Sequence, residues 1–268
     1  MMKDLFSLEG RVALVTGGSA GIGLASAVSL AAEGCNLVLV SRDQGKLDKA
    51  VNLIGATTPV SVVAMAADVG DDTSHARIAE AFPDIDILVN NAGAIPGGGL
   101  DRLDQAQFRS GWELKVFGFI GLTREYYARM KARGSGCIVN VIGASGTRPD
   151  ANYIAGSAGN SALTTITHAL GAEAPAYGLR VNAVSPGAVA TERQEGVLRK
   201  LAAEKLGDED RWFDFTSAFP FGRMARPEEV GDVVTFLASP RASYISGVVV
   251  NVDGGMSQQH NWWPSPKG

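Results

Sequence analysis

The sequence predicts an α/β fold with a parallel sheet that is covered by helices on both faces. Short runs of Val, Ile and Leu recur along the chain with apolar residues on both faces rather than in alternation, which is typical of buried parallel strands. Ala-rich segments of helical length, such as 21–33, 101–131 and 157–174, separate the runs. Strands that alternate with helices in this way favour a doubly wound, Rossmann-type fold with ligands at the carboxyl ends of the strands. The predicted strands are RVALVT (11–16), NLVLV (36–40), VSVVAM (60–65), DILVN (86–90), CIVNVI (137–142), LRVNAV (179–184) and GVVVNV (247–252).

The composition fits a single domain over residues 1–268, since 46% of the residues are apolar and no abrupt change marks a boundary. A net charge of −4 without a basic cluster predicts a small-molecule substrate and no nucleic-acid partner. No segment has the length and hydrophobicity of a signal peptide or a membrane span, so we expect a cytoplasmic protein without a membrane partner. The two cysteines, Cys35 and Cys137, lie in or beside apolar runs, and we expect no metal site.

A glycine-rich turn follows the first predicted strand in the stretch LVTGGSAGIG. Gly17, Gly21 and Gly23 allow a tight turn and a close approach of the backbone to a pyrophosphate at the start of a helix, where amide groups and the helix dipole favour negative charge. Such a turn on its own is also compatible with packing in the absence of a ligand.

Four further motifs make the chain similar to the short-chain dehydrogenase/reductase family over essentially its whole length. They are ADV (67–69), NNAG (90–93), SPGAVAT (185–191) and VDGG (252–255), and they follow the glycine turn in the order and spacing of that family. The resemblance implies a nicotinamide cofactor held at the ends of these strands. The implied cofactor-binding residues are Thr16, Gly17, Ser19, Gly21, Ile22, Gly23, Asp68, Val69, Asn90, Ala92, Gly93, Pro186, Gly187 and Thr191.

The end of the second predicted strand, VLVSRD, favours NADP over NAD, although NAD stays possible. Ser41 stands where an NAD-preferring member would offer a carboxylate, and Arg42 follows it. A guanidinium at this place suits the 2′-phosphate of NADP. Alternatively, Arg42 is a solvated loop charge that Asp43 partly neutralises.

The family's catalytic pattern is absent from its expected positions. The resemblance implies a tyrosine that transfers a proton to the substrate oxygen, a lysine four residues later, a serine on the substrate oxygen and an asparagine that anchors a water. These positions read Gly156, Asn160, Gly143 and Lys115.

Other residues are candidates for the missing roles. Tyr153 and Ser145 would re-enter the cleft if the loop 143–156 bulges, and Lys115 would carry an ammonium toward Asn160 unless it extends to solvent. Lys115, Ser145, Tyr153 and Asn160 are therefore the candidate catalytic residues. We expect His75 at the surface.

Residues 188–226 form a long insertion, which we interpret as a lid over the cleft. Its aromatic residues either pack within the lid or suit an apolar or aromatic substrate. Trp262 and Trp263 near the carboxyl terminus are expected to pack on the body or on a neighbouring subunit. The resemblance also implies a homo-oligomer, either a tetramer or a dimer.

Three functions compete at this point. The first is a divergent NADP(H)-dependent oxidoreductase that acts on a small alcohol or carbonyl substrate with a non-standard proton-transfer set. The second is a protein that binds the cofactor without redox turnover, and the third is a non-redox lyase or hydratase in the same cleft.

Overall fold

A computed structural model describes residues 7–258 as one domain built on seven parallel strands. The strand order is β3-β2-β1-β4-β5-β6-β7, so the chain changes direction across the sheet between β1 and β4. The predicted fold class is confirmed, and a strand forms at each of the seven predicted runs. The strands are β1 Val12–Thr16, β2 Asn36–Ser41, β3 Val62–Ala66, β4 Ile87–Asn90, β5 Gly136–Val141, β6 Leu179–Pro186 and β7 Val249–Val252.

Helices connect the strands and cover both faces of the sheet. The segment expected as one helix over 101–131 is divided into α4 and α5 by a π-helical turn, Glu113–Phe117. The helix expected at 157–174 begins earlier, at Ile154. The helices are α1 Gly21–Ala32, α2 Gln44–Gly55, α3 Asp72–Ala81, α4 Gln105–Trp112, α5 Gly118–Arg133, α6 Ile154–Glu173, α7 Glu192–Leu206 and α8 Pro227–Ala238.

The buried side chains form a core on each side of the sheet. Successive residues of a strand point to opposite faces, so Leu14 packs against the helices of one face and Val15 against those of the other. On the first face Leu14 belongs to a cluster with Leu122 and Tyr126 of α5. The central strands β1, β2, β4, β5 and β6 are buried on both faces, which explains their largely apolar sequences, whereas the edge strands β3 and β7 are partly exposed.

The predicted lid segment, 188–226, contains α7 and a 3₁₀ segment, Glu209–Ala218. Phe215 and Phe219 are buried with Leu198 of α7 and with Met256, so these aromatic side chains form a small core of their own. Trp262 and Trp263 lie outside the described residues. Within residues 7–258, no helix has the length and hydrophobicity to cross a membrane.

Candidate active site

The carboxyl ends of β1 and β4 meet at the point where the chain changes direction, and Thr16 ties their loops together. Its hydroxyl oxygen accepts hydrogen bonds from the backbone N–H of Asn91 at 2.8 Å and of Ala92 at 3.0 Å. The Asn91 side-chain amide donates to the Thr16 carbonyl at 3.0 Å. The glycine turn and the NNAG loop therefore form one rigid edge, at the place where open α/β sheets bind ligands.

The glycine turn has the shape of an anion site. Gly17 and Gly21 adopt left-handed backbone angles, with φ of 65° and 53°, and a Cβ at Gly23 would overlap the Gly17 carbonyl. The N-cap residue of α1, Ala20, makes no side-chain capping bond, and the first turn has no acidic residue. The first amides of α1 are thus left for an external anion, which fits a pyrophosphate. Ile22 packs against the core behind this turn.

The loop after β6 faces the glycine turn from the other side. Thr191 caps α7 by accepting a hydrogen bond from Gln194 N at 3.2 Å. Its methyl carbon is 3.2 Å from where a Cβ of Gly21 would be. Pro186 ends β6, and Gly187 packs closely on Asp253. The structure therefore places the residues predicted for both ends of the cofactor around one cleft.

The end of β2 carries the residues predicted to select the cofactor. The Ser19 hydroxyl donates to the Ser41 hydroxyl at 2.9 Å. The exposed Arg42 guanidinium lies 4.0 Å from the exposed Asp68 carboxylate, a loose pair that leaves Arg42 available to a phosphate. Asp43 caps α2 by accepting from Lys46 N at 3.0 Å.

His75 is not at the surface, so that expectation was wrong. Its Nε2 lies 2.8 Å from the carbonyl of the buried Val69, and its ring fills the space beside Gly121, where a Cβ would overlap it. Gly121 on α5 has no side chain and so leaves room for the ring. The residue pattern around His75 alone cannot show this, because the space is provided by a different helix.

Asn90 supports the cleft from within the sheet. Its buried amide nitrogen donates to Thr123 and to Asn140, each at 3.0 Å. Asn140 in turn donates to Thr167 at 3.0 Å, so a chain of polar groups crosses the core. Since Asn90 is fully buried, its place in the structure is beneath the cleft.

Tyr153 occupies the space that a side chain at position 156 would take. A Cβ at Gly156 would overlap the Tyr153 ring. The backbone around Tyr153 is tied to Gly98, whose N–H donates to the Asn152 carbonyl at 2.8 Å. Burial raises the pKa of the Tyr153 hydroxyl, while the charge and hydrogen bonding of Arg193 oppose that shift. Tyr153 is therefore a protonated phenol at neutral pH, one helical turn before the expected tyrosine position.

Asn160 likewise fills the space beside Gly143. Its amide nitrogen is 2.9 Å from where a Cβ of Gly143 would be and donates to the Ser145 hydroxyl at 2.9 Å. Both side chains are buried, and the Asn160 Oδ1 atom has no partner among the described residues. The structure thus joins Ser145 and Asn160 as a hydrogen-bonded pair.

Lys115 points inward from the π-helical turn. Its ammonium donates to the Ile142 carbonyl at 2.8 Å, and its aliphatic chain packs on Gly93, where a Cβ would be 2.8 Å from Lys115 Cδ. Burial lowers the pKa of Lys115 to about 7, and the positive charge of Arg193 adds to this effect.

Arg193 is a site residue that the sequence did not reveal. One terminal nitrogen donates to the Gly93 carbonyl at 2.6 Å and the other to the Ile95 carbonyl at 2.8 Å. On a polar helix such as α7, an arginine resembles any solvated charge. The available signal was its position two residues after Thr191, at the first turn of α7. Arg193 interacts electrostatically with both Lys115 and Tyr153.

Comparison with known proteins gives relatives over almost the full chain. Residues 17–257 match the family model described as enoyl-(acyl carrier protein) reductase. The chain is 38% identical over 255 residues to galactitol 2-dehydrogenase (L-tagatose-forming) of Cereibacter sphaeroides, covering 94% of this chain and 97% of that protein. It is 36% identical over 250 residues to cis-4-hydroxycyclohexanecarboxylate dehydrogenase of Sinomonas cyclohexanicum, covering 91% and 96%.

A solved structure agrees with these relatives. L-Sorbose reductase from Gluconobacter frateurii, complexed with NADPH and L-sorbose, superposes with a TM-score of 0.87 at 30% identity, covering 95% of this chain and 99% of that one. The sheet order, the glycine turn between β1 and α1 and the full-length relatives lead to one conclusion. This chain belongs to the short-chain dehydrogenase/reductase family of NAD(P)-dependent oxidoreductases.

Proposed function

We propose that the protein is an NADP(H)-dependent oxidoreductase that interconverts a small alcohol and its carbonyl compound, with the Tyr153 hydroxyl as the proton donor. The observation that carries this proposal is the Tyr153 ring, which lies in the space vacated at Gly156. A phenol from the preceding turn thereby supplies the group that position 156 lacks.

NADP is the cofactor that the cleft fits best. The glycine turn and the uncapped start of α1 suit the pyrophosphate, and the exposed Arg42 suits the 2′-phosphate. The NADPH in the related L-sorbose reductase supports the same choice.

NADPH held in this cleft would supply the hydride that the carbonyl carbon accepts. The Tyr153 hydroxyl gives its proton to the carbonyl oxygen, which becomes the alcohol, and a proton from solvent restores the phenol. Arg193 next to the hydroxyl stabilises the phenolate that forms in between. The buried Ser145 and Asn160 pair holds the start of α6 against the loop after β5.

The substrate is a small alcohol or carbonyl compound, and the sequence also favoured an apolar or aromatic one. Of the aromatic residues in the predicted lid, Phe215 and Phe219 pack in the core of this segment, whereas Phe213 and Phe221 are exposed. A cytoplasmic location and a homo-oligomeric assembly stay predictions of the sequence.

The variant Tyr153→Phe tests the proposal. We expect kcat for NADPH-dependent reduction of a carbonyl compound to fall by about 10²–10⁴-fold, the usual contribution of a general acid. NADPH affinity, measured by the fluorescence of the bound nicotinamide, should be unchanged. Tyr177→Phe is the matched control, since Tyr177 contacts Lys131 on the surface. Full activity of Tyr153→Phe would show that another group donates the proton.

A further inference from the structure

Arg193 is fixed in place but keeps hydrogen-bonding capacity. Two of its five N–H donors bind the carbonyls of Gly93 and Ile95, at 2.6 and 2.8 Å. The side chain is nevertheless exposed, and it reaches the Tyr153 hydroxyl. A guanidinium held in this way can bind a second group beside the reacting carbon without losing much conformational entropy.

No carboxylate of the described residues compensates this charge. The acidic neighbours of Arg193 on α7 are directed elsewhere, because Glu192 lies 3.8 Å from Lys46 and Glu195 pairs with Arg199 at 2.9 Å. Among the ion pairs within residues 7–258, none joins Arg193 to a carboxylate.

Lys115 adds a second, weaker positive charge on the other side of Gly93. Its chain packs on Gly93, whose carbonyl accepts from Arg193, so the two cations flank one residue of the cleft. Burial lowers the pKa of Lys115 to about 7, so its positive charge is weaker than that of Arg193.

We propose that Arg193 binds a carboxylate on the substrate, so that the protein acts on a hydroxy acid and the corresponding oxo acid. This inference rests on the proposed oxidoreductase function and names the substrate class of the same cleft. The fork of the guanidinium matches the two oxygens of a carboxylate, and binding there places the carbonyl group next to Tyr153.

The test compares oxo acids with their methyl esters, which differ in charge at nearly the same shape. We expect wild type to reduce 4-oxopentanoate or 4-oxocyclohexanecarboxylate with a kcat/KM at least about 10-fold above that for the ester. Because Arg193 also contacts the Tyr153 hydroxyl, Arg193→Met should lower turnover of both compounds. The ratio of kcat/KM for the acid to that for the ester should fall by about a further 10–100-fold, the effect of one charge-assisted hydrogen bond. Arg193→Lys should retain part of the preference.

Arg199→Met is the matched control, because it removes the same charge from α7 at a residue that has acidic partners. If Arg193→Met lowers kcat/KM equally for acid and ester, or lowers NADPH affinity, the proposal is overturned. Arg193 would then have a structural role or bind the cofactor. If no carbonyl compound is turned over, the proposed function fails on its own. Calorimetric titration of the protein–NADP⁺ complex with the acid and the ester then decides whether Arg193 selects the carboxylate.

Discussion

At the scale of single residues, Lys115 shows how a cation is kept in an apolar surrounding. One carbonyl, that of Ile142 directly after β5, accepts a hydrogen bond from its ammonium. A single neutral acceptor does not replace the hydration of a charged amine. The pKa of Lys115 is therefore lowered, because burial favours the neutral amine over the ammonium.

The stability of a Lys115→Met variant should therefore depend on pH. The pKa of Lys115 is about 7 in the folded protein and 10.5 for an ordinary lysine. The unfolded chain therefore binds more protons between these values, and wild type gains stability as pH rises. The charge costs most below pH 7. We expect Lys115→Met to be more stable than wild type at pH 6, by a margin that shrinks toward pH 10, in urea unfolding at constant ionic strength.

Lys131→Met is the control for this experiment. Lys131 is a surface lysine whose pKa is raised by hydrogen bonds to Tyr177 and Glu173, so its removal should show no such gain at pH 6. If the stability difference between Lys115→Met and wild type stays constant from pH 6 to 10, folding does not lower the pKa of Lys115.

The sequence predicts some of these residues better than others. The glycine motif and Arg42 follow from local spacing, because their roles depend on the backbone of one turn. Arg193 could not be predicted, since its partner is the carbonyl of Gly93, one hundred residues away in the loop after β4. The position of His75 depends on the space beside Gly121 of α5, which local spacing does not show. Tyr153 stood as an alternative because the space over Gly156 depends on the geometry of a loop.

At the scale of elements, the start of α6 is built around the absence of a side chain. The Trp112 indole N–H donates to the Ala155 carbonyl at 3.0 Å, and the backbone at Tyr153 pairs with Gly98. These contacts hold the first turn of α6, and Gly156 lets the Tyr153 ring lie flat against it. The helix gives up the propensity of a better helix former at this position.

Gly156→Ala should lose both activity and stability. Helix propensity alone predicts a gain of about 1 kcal/mol, but the added methyl group would overlap the Tyr153 ring and displace it. Gly196→Ala on α7 is the control, because nothing lies within 4 Å of its Cβ position and the propensity gain should appear there. Thermal unfolding and kcat measure the outcome. A stabilised, fully active Gly156→Ala would contradict the placement of Tyr153.

The π-helical turn between α4 and α5 sets the direction of Lys115. A π turn inserts one extra residue, and such turns are frequent at functional sites. The sequence predicted one continuous helix here, because periodicity identifies helical segments but not a single added residue. The charged residue in the apolar stretch WELKVFG was the local indication.

At the scale of the whole molecule, the fold was the most predictable property. Seven apolar runs became seven parallel strands, and the signal is strongest for the five central strands, which are buried on both faces. The predicted lid segment was less predictable, since its 3₁₀ segment packs on α7 and Met256 rather than on the sheet.

Cofactor preference should appear as a difference in global stability. A ligand at about one hundred times its Kd raises the free energy of unfolding by about 2.7 kcal/mol. For a domain of this size, each added kcal/mol raises Tm by roughly 2–4 °C. We expect NADP to raise Tm more than NAD at equal concentration, and Arg42→Leu to remove most of the difference. Arg11→Leu, which breaks the pair with Asp86 at the opposite end of β1, should lower Tm but keep the difference. Equal shifts with both cofactors in wild type would refute the NADP assignment.

The two filled glycine positions restrict the order in which this cleft can change by mutation. A tyrosine restored at Gly156 would collide with Tyr153, and a serine restored at Gly143 would crowd the amide of Asn160. Each reversion is therefore harmful unless a second residue changes with it, so the usual arrangement is reached through paired substitutions rather than single ones. Selection acting one mutation at a time would preserve the present arrangement even where the usual one is equally active.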